Sequence, residues 1–398
     1  MKKNILFVIY SLNSGGAEHA LVELLKNIDR DKYDISLLVM SGKGVLMPRV
    51  PKDIKVIPRE RALCFLTSND KKELIKSFSL RAFFARMFYS LNKIRLSNGS
   101  DYRVCQQKWM SAYKPAVSSI KQKYDIAVAY MHSLPSYYVI DKVNADRKIL
   151  WVHNDYKNIV GDYEFDYEYY KKADSIVTIS NECVNSLKET FGDLSNKIIC
   201  LPNIVDSDLV KQKATKFYPE EFNDYEGLKL VSVGRLSDQK RFDRAIAAAK
   251  ILKDKGIKFK WLILGTGVLL NDLSAQITDL NLSENVLLVG LKSNPYPYIG
   301  YADIVVQTSD FEGKSIVIDE AKILAKTIVS TNYNSACDQI IDGVTGVLTG
   351  FKPEDVADGI IKLANDDSLR NSIIENLNLQ KDETKTVLDE HYRCFNNE

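Results

Sequence analysis

Residues 304–330 read IVVQTSDFEGKSIVIDEAKILAKTIVS, and this stretch carries the alternation of strand, turn and helix on which the fold prediction depends. Apolar runs at 304–306 and 328–329 predict two strands, and the segment between them predicts a glycine-containing turn and a helix that begins near Ser315. At roughly 100° per residue, Glu320 falls on the apolar stripe of that helix. Because an unpaired buried charge is costly, we expect Glu320 to have a partner.

A second carboxylate, Glu312, lies in the turn before the same helix. One carboxylate at the N-terminus of a helix and one inside it can hold two hydroxyl groups of a ligand, with a phosphate on the free N–H groups between them. The helical wheel places Asp319, Lys322 and Lys326 together on a polar face.

The alternation of strand and helix extends over the whole chain. At 398 residues, the chain exceeds what one hydrophobic core usually supports. The segment LPNIVD at 201–206 and the polar stretch through Tyr225 predict a hinge. We therefore predict an α/β protein with two Rossmann-like, doubly wound domains at 1–205 and 206–380. Their strands are predicted at 5–9, 35–39, 126–129, 149–152 and 175–179, and at 228–233, 261–264, 286–289, 304–306 and 327–330.

Composition excludes several classes of protein. The net charge of +2 argues against a general nucleic-acid binder. The six cysteines are scattered without a Cys-x-x-Cys pair, which indicates reduced thiols in a cytoplasmic protein. The apolar run at 4–10 is too short for a signal peptide, and no segment approaches the ~20 apolar residues of a membrane span. Neither a Gly-x-Ser-x-Gly elbow nor a P-loop is present.

The segment from Glu312 to Ala321 resembles the Glu-x7-Glu motif of retaining GT-B glycosyltransferases, specifically glycosyltransferase family 4. The resemblance extends over nearly the whole chain, and it implies two domains that face each other across a cleft. It also implies that Glu312 faces the donor sugar and that Glu320 hydrogen-bonds the ribose of the nucleotide. Backbone groups of four residues would meet the sugar and diphosphate: Gly313, Lys314, Ser315 and Ile316.

Lys314 departs from the family pattern, because many members carry a small or apolar residue there. A lysine at this position could add charge to the phosphate site or change which sugar is accepted.

Arg235 and Lys240 are the candidate cations for a diphosphate. A departing nucleoside diphosphate gains negative charge, so the protein must place positive charge around it. Arg235 follows the strand at 228–233 and Lys240 precedes the next helix, so both would converge on the crevice where open α/β sheets bind ligands. The segment resembles the family's Gly-Arg-(x)4-Lys motif, whose cations grip the diphosphate. The Asp-x-Asp at 29–31 lies far from this crevice, and we expect no metal or other cofactor.

Gly15 and Gly16 lie between the first strand and its helix, and they resemble the family's N-terminal glycine loop. Two glycines let the backbone approach an acceptor or phosphate closely, although an ordinary βα turn explains them equally well. His153 follows a buried strand, at the place where a family histidine meets the donor sugar. His132 is the next candidate.

Three further segments resemble family positions. Asn203, in the hinge, is expected to order the cleft or only the turn. The segment Gly265-Thr266-Gly267 resembles a Gly-x-Gly turn of the second domain. Leu291 and Lys292 lie where backbone groups of the family meet the base. The last helix, within 381–398, resembles the family's terminal helix, which crosses back onto the first domain.

The segment 71–110 is rich in Lys, Arg and Phe. Leu80, Phe84, Met87, Leu91 and Ile94 recur at helical spacing, with basic residues between them. One interpretation is peripheral contact with an anionic membrane at the inner face of the cell membrane. The other is a helix that packs its aromatic stripe on the first sheet.

These observations together predict a retaining hexosyl- or N-acetylhexosaminyltransferase. The expected donor is a nucleotide diphosphate sugar, with UDP favoured by family frequency, and the expected acceptor is a lipid-linked glycan in surface polysaccharide assembly. The catalytic residues are expected to be His153, Glu312, Arg235 and Lys240. The alternatives are transfer to a protein acceptor and a catalytically silent protein that binds a glycan or a partner enzyme.

Overall fold

The computed structural model describes residues 2–13, 15–93, 101–380 and 384–398. The chain divides into two compact units, Met1–Ile204 with Thr386–Glu398, and Val205–Lys385. We call them unit 1 and unit 2.

Unit 1 is built on a seven-stranded parallel sheet with the order β3-β2-β1-β4-β5-β6-β7. Its strands are β1 (Lys3–Ile9), β2 (Tyr33–Val39), β3 (Lys55–Val56), β4 (Lys123–Ala129), β5 (Asn144–Val152), β6 (Ser175–Thr178) and β7 (Ile198–Cys200). Its helices are α1 (Gly16–Asn27), α2 (Arg61–Thr67), α3 (Lys71–Lys76), α4 (Leu80–Lys93), α5 (Asp101–Lys108), α6 (Lys114–Ala116), α7 (Leu134–Lys142), α8 (Tyr163–Tyr170) and α9 (Asn181–Thr190).

Unit 2 is built on a six-stranded parallel sheet with the order β10-β9-β8-β11-β12-β13. Its strands are β8 (Leu228–Val233), β9 (Phe259–Leu264), β10 (Val286–Gly290), β11 (Ile304–Gln307), β12 (Thr327–Thr331) and β13 (Val347–Thr349). Its helices are α10 (Ser207–Ala214), α11 (Phe242–Asp254), α12 (Leu270–Asp279), α13 (Tyr296–Tyr301), α14 (Ile316–Ile323), α15 (Pro353–Asn365) and α16 (Asp367–Asn378).

The predicted strands are confirmed because their apolar runs are the buried centres of the two sheets. Residues 5–9 and 149–152, for example, are fully buried. Both faces of a parallel sheet are covered by helices, which explains the continuous apolar runs. The sequence did not reveal β3, β7 and β13, which are two or three residues long.

The helix after Glu312 is α14, and Ser315 is its N-cap. The expected burial of Glu320 is confirmed, since its side chain is 8% exposed. The expected place of Lys326 on a helical polar face is wrong. The helix ends at Ile323, and Ala325, with a φ of 48°, turns the chain out of it.

The C-terminal helix α17 (Thr384–Asn396) contributes most of its length to unit 1. The Phe395 ring lies edge-on to that of Phe7 in β1 at 6.2 Å, and the His391 ring stacks on Trp151 in β5 at 6.0 Å. Arg147 Nε donates to the Cys394 carbonyl at 3.1 Å. Residues 381–383 of the predicted crossing segment lie outside the described residues.

The segment 71–110 forms α3, α4, α5 and the start of a π-helix, Trp109–Tyr113. In α4, Ala82, Ala85 and Tyr89 are buried, whereas the apolar stripe that begins at Leu80 is exposed. The interpretation in which this stripe packs on the first sheet is therefore wrong. Ile94 lies outside the described residues. Across the described ranges, no helix combines the length and apolar character needed to cross a membrane.

Candidate functional site

The loops that follow β8 and β11 meet at the carboxyl edge of the unit 2 sheet, because these strands are parallel neighbours. The Asp310 amide donates to the Gln239 carbonyl at 2.9 Å, and Thr308 Oγ1 donates to the Lys240 carbonyl at 2.9 Å. This edge is where open α/β sheets bind ligands. The structure thus brings together the predicted Lys240 and Glu312, which are 72 positions apart in the sequence.

Hydrogen-bond donors surround the Glu312 carboxylate. Its Oε1 lies 2.6 Å from Lys240 Nζ and accepts from Ser309 Oγ at 2.7 Å, while Oε2 accepts from Gln239 Nε2 at 3.2 Å. The Lys240 and Glu312 side chains are only 17% and 11% exposed. Each charge therefore compensates the other in a poorly hydrated place, and removing one would leave the other without its partner.

Arg235 lies two residues after the end of β8, and its side chain is exposed. Among the residues that the structure describes, no carboxylate pairs with its guanidinium. A guanidinium presents a planar set of N–H donors that matches phosphate geometry. Arg235 is thus an available cation at the same strand end that leads to Lys240.

Glycines bring the Arg235 loop against the turn after β9. Gly265 has a φ of 146°, and a Cβ built there would lie 1.8 Å from the Gly234 carbonyl oxygen. A Cβ at Gly267 would lie 2.1 Å from the Leu236 carbonyl oxygen. Only glycine fits such a backbone approach, so both glycines hold the loop that carries Arg235 in place.

A cluster of charged groups fixes the two loops to each other. Arg241 contacts Asp310 at 3.0 Å and Asp243 at 2.9 Å, and Arg244 contacts Asp310 at 2.6 Å. Arg244 also donates to the Thr308 carbonyl at 2.7 Å. Burial alone would raise the pKa of Asp243, but hydrogen bonds and charge from Arg241 hold that pKa below its ordinary value. We call Arg241, Arg244 and Asp310 the loop clamp.

The N-terminus of α14 is occupied by a side chain of the same unit. The Ser315 amide donates to Gln339 Oε1 at 2.8 Å, and Gln339 Nε2 donates to the Ser315 carbonyl at 2.8 Å. Gln339 Nε2 also donates to Asp319 Oδ1 at 2.9 Å, and Lys314 Nζ lies 3.5 Å from Asp319 Oδ2. The Lys314 ammonium is thus directed to Asp319, and the Ser315 N–H already has an acceptor.

Two further predicted donor-site residues of unit 2, Leu291 and Lys292, follow the end of β10. Leu291 follows β10 and is half exposed. Lys292 Nζ lies 3.2 Å from Glu221 Oε1 and over the Tyr298 ring, so its side chain is engaged within the unit. The hydrogen bond that the Lys292 ammonium donates to the Tyr298 hydroxyl, and then Glu221, raises the pKa of Lys292.

The predicted histidines lie at the carboxyl edge of the unit 1 sheet, after the neighbouring strands β4 and β5. His153 is 7% exposed, and its ring lies 4.9 Å from that of Tyr130. Within the described ranges, no group completes a hydrogen bond to either ring nitrogen of His153 or to His132 Nδ1. Burial lowers the pKa of His153 to about 3 and that of His132 to about 4. Both rings are neutral at pH 7, a state that suits a sugar hydroxyl.

The glycine loop lies at the same edge of unit 1. Gly15 is the N-cap of α1, and Gly16 is its first residue. The first-turn carboxylate Glu18 is buried and accepts from Ser11 Oγ at 3.4 Å. Ser14 lies outside the described residues.

Sequence reasoning missed the groups that support the predicted site. Three of these residues follow the ends of strands, and that position is a signal from which sequence reasoning could have found them: Gln239, Ser309 and Asp310. Their contacts with the other loop, however, are visible only in the folded structure. Gln339 reaches α14 from a separate loop, and nothing in its local sequence marks that contact.

Residues 214–379 match the family described as glycosyl transferases group 1. Over 367 residues, the chain is 28% identical to the N-acetylgalactosamine-N,N'-diacetylbacillosaminyl-diphospho-undecaprenol 4-alpha-N-acetylgalactosaminyltransferase of Campylobacter jejuni, covering 91% of this chain and 90% of that relative. Over 170 residues, it is 29% identical to the poly(ribitol-phosphate) alpha-N-acetylglucosaminyltransferase of Staphylococcus aureus, covering 41% of this chain and 34% of the relative.

Two solved structures share the fold over the full length. HepE from Anabaena, in complex with UDP-glucose, superposes with a TM-score of 0.72 at 17% identity, covering 100% of both chains. Staphylococcus aureus TarM, in a complex that contains UDP, superposes with a TM-score of 0.68 at 16% identity, covering 99% of this chain and 100% of that one. The chain therefore has the GT-B fold, and the comparisons support a GT-B glycosyltransferase in which residues 214–379 match the group 1 family.

Proposed function

We propose that this protein is a retaining glycosyltransferase that moves a hexosyl or N-acetylhexosaminyl group from a UDP-sugar to a lipid-linked glycan. The observation that carries the proposal is the contact between Lys240 and Glu312 at the carboxyl edge of the unit 2 sheet, with Arg235 at the end of the adjoining strand. A carboxylate and two cations at one strand edge match a ligand that combines sugar hydroxyls with a diphosphate.

The diphosphate competes with Glu312 for Lys240. Before the donor binds, Lys240 and Glu312 neutralise each other at 2.6 Å. A diphosphate that approaches Arg235 offers Lys240 a second anionic partner, and Glu312 then becomes free to accept hydrogen bonds from the sugar. Glu320 holds the ribose in this proposal, from its buried position in α14.

The transfer breaks the bond between the anomeric carbon and the diphosphate oxygen. The acceptor hydroxyl attacks from the face that the diphosphate leaves, and its proton passes to the departing diphosphate. Arg235 and Lys240 stabilise the charge that develops on the leaving oxygen, so we propose that no metal is needed. Burial keeps the His153 ring neutral at pH 7. In this neutral state one ring nitrogen carries a proton, and that N–H donates a hydrogen bond to a sugar hydroxyl.

The acceptor proposal rests on the relatives. The Campylobacter jejuni protein is named for a diphospho-undecaprenol substrate, and it aligns with 91% of this chain. We therefore propose a polyprenyl-diphosphate-linked glycan as acceptor, used in surface polysaccharide assembly at the cytoplasmic face of the membrane.

Transfer assays test the reaction. The purified full chain is incubated with radiolabelled UDP-glucose, UDP-galactose and their N-acetylated forms, with undecaprenyl-diphosphate-linked glycans and EDTA, and proton NMR gives the anomeric configuration of the product. We expect transfer from one UDP-sugar with its α configuration kept. The Glu312→Gln variant should lose transfer, whereas the surface variant Asp358→Asn should keep it.

Three results would contradict separate parts of the proposal. A β-linked product would exclude retention, and strict dependence on added Mg²⁺ or Mn²⁺ would exclude a metal-free site. Transfer to protein but not to lipid-linked glycan would exclude the proposed acceptor.

A further inference from the structure

An apolar surface of six exposed side chains lies on the outer side of α4 in unit 1. The exposed side chains recur at helical spacing and lie on one side of the helix, opposite the buried Ala82 and Ala85. Each is between 43% and 65% exposed. They are Leu80, Phe83, Phe84, Met87, Phe88 and Leu91.

The opposite side of α4 holds the helix on unit 1. Ala82, Ala85 and Tyr89 are buried in the unit 1 core. Arg86 Nη1 donates to the Phe65 carbonyl at 3.2 Å, and the Arg86 guanidinium lies over the Phe65 ring. The small alanines let α4 lie close to its neighbours, and the large apolar side chains on the other side of the helix point outward. The outer face is thus a consequence of how the helix packs.

The exposed charged side chains that the structure describes within α3 and α4 are all positive, and the exposed Asp70 precedes them as the N-cap of α3. Lys71, Lys72, Lys76 and Arg81 are exposed, and among the described residues none of them has a carboxylate partner. From residue 74 to residue 93 the sequence contains no Asp or Glu.

The one acidic side chain of α3 is already neutralised. Glu73 contacts Arg59 at 2.5 Å and Lys43 at 3.4 Å. A hydrogen bond from Ser68, together with Arg59, lowers the pKa of Glu73 to about 2. It therefore stays ionised and paired, and the surface keeps its positive charge.

We propose that the outer face of α3 and α4 docks on an anionic lipid bilayer, with the six apolar side chains in the interfacial region and the four cations among the headgroups. A second copy of this chain fits less well, because a two-fold contact through this face would bring the same unpaired cations together. Anionic headgroups instead neutralise these cations while the rings leave water.

Vesicle flotation tests this docking without any sugar transfer, so its result is separate from that of the transfer assay. The full chain is mixed with vesicles of phosphatidylcholine alone or of phosphatidylcholine with phosphatidylglycerol. We expect binding to the anionic vesicles that weakens on the order of a hundredfold in Phe84→Ser/Phe88→Ser, because two rings lose their interfacial burial. Leu379→Ser, at a similarly exposed apolar position of unit 2, is the matched control and should bind like the native chain.

A second variant, Lys72→Gln/Lys76→Gln, tests the role of the positive charges. Because it removes two cations, it should weaken binding to anionic vesicles by at least about tenfold. Circular dichroism checks that each variant is folded. No vesicle binding by the native chain would overturn the proposal, as would equal binding by the native chain and the Phe84→Ser/Phe88→Ser variant. A dimer in light scattering that this variant abolishes, without vesicle binding, would instead assign the face to self-association.

Discussion

At the scale of single residues, Glu312 and Lys240 form the central pair of unit 2, and Arg235 stands apart as an exposed cation. Glu312 and Lys240 compensate each other's charge, so both residues have a structural role before any ligand binds. Arg235 has no such role among the described residues, which makes it the cleaner probe of donor chemistry.

We predict that Arg235→Ala lowers kcat by about 10²- to 10³-fold, because one preorganised donor to the leaving group is lost. Its melting temperature should stay close to that of the native chain, since Arg235 is exposed. Steady-state kinetics and thermal unfolding measure the two effects, with the surface variant Lys250→Ala as control. Unchanged kcat in the Arg235 variant would remove this residue from the mechanism.

The buried histidines of unit 1 predict how stability depends on pH. The folded pKa of His153 is about 3 and that of His132 about 4, whereas a histidine in an unfolded chain has a pKa of about 6.5. Below pH 6.5 the unfolded state therefore binds more protons, and stability falls as the pH falls toward these folded values. Above pH 6.5 the two neutral histidines no longer make stability depend on pH.

Urea unfolding at pH 6.5 and pH 5 measures this slope. Between these pH values the free energy of unfolding should fall by about 1.5 kcal/mol less in His153→Gln than in the native chain, because the slope reaches about 1.4 kcal/mol per pH unit only well below pH 6.5. Parallel losses in the two proteins would mean that His153 is not held neutral by burial.

At the scale of elements, the loops after β8, β9 and β11 are held together by the loop clamp and by two glycines. Asp310 is shared by Arg241 and Arg244, and the Arg244 side chain is only 6% exposed. Removing the Asp310 charge would leave Arg244 buried without its carboxylate.

We therefore expect Asp310→Asn to destabilise unit 2 by about 3 kcal/mol and to weaken UDP binding, because the Glu312 loop loses its fixed position. Asp358→Asn removes a carboxylate from an exposed pair with Lys255 and should change stability by less than about 0.5 kcal/mol. Chemical denaturation and UDP titration of both variants make the comparison. Equal effects would show that the clamp is an ordinary surface cluster.

Gly265→Ala tests the backbone approach beneath Arg235. Gly265 has a φ of 146°, and the added Cβ would lie 1.8 Å from the Gly234 carbonyl oxygen. The strained backbone and this clash together should lower the free energy of unfolding by at least about 2 kcal/mol. Gly192→Ala is the matched control, because a Cβ at Gly192 meets nothing within 4 Å. A neutral Gly265→Ala variant in thermal unfolding would show that the two loops can separate freely.

At the scale of the whole molecule, the sequence predicted the two sheets well because buried parallel strands are continuous apolar runs, as at 5–9 and 304–306. It did not predict β3, whose two exposed residues owe their conformation to pairing with β2. Glu312 and Lys240 were predicted from their places at the starts of two helices and from the family motifs that these segments resemble. Asp310 and Gln339 were not, because their partners lie far away in the sequence and only the fold brings them together.

Calorimetric titration of UDP into the full chain in EDTA tests most directly whether unit 2 holds a UDP-sugar without a metal. We predict saturable binding that is at least about tenfold weaker in Glu320→Gln, because the ribose loses a charged acceptor. Failure of UDP to bind, or equal affinity in the Glu320→Gln variant, would contradict this prediction.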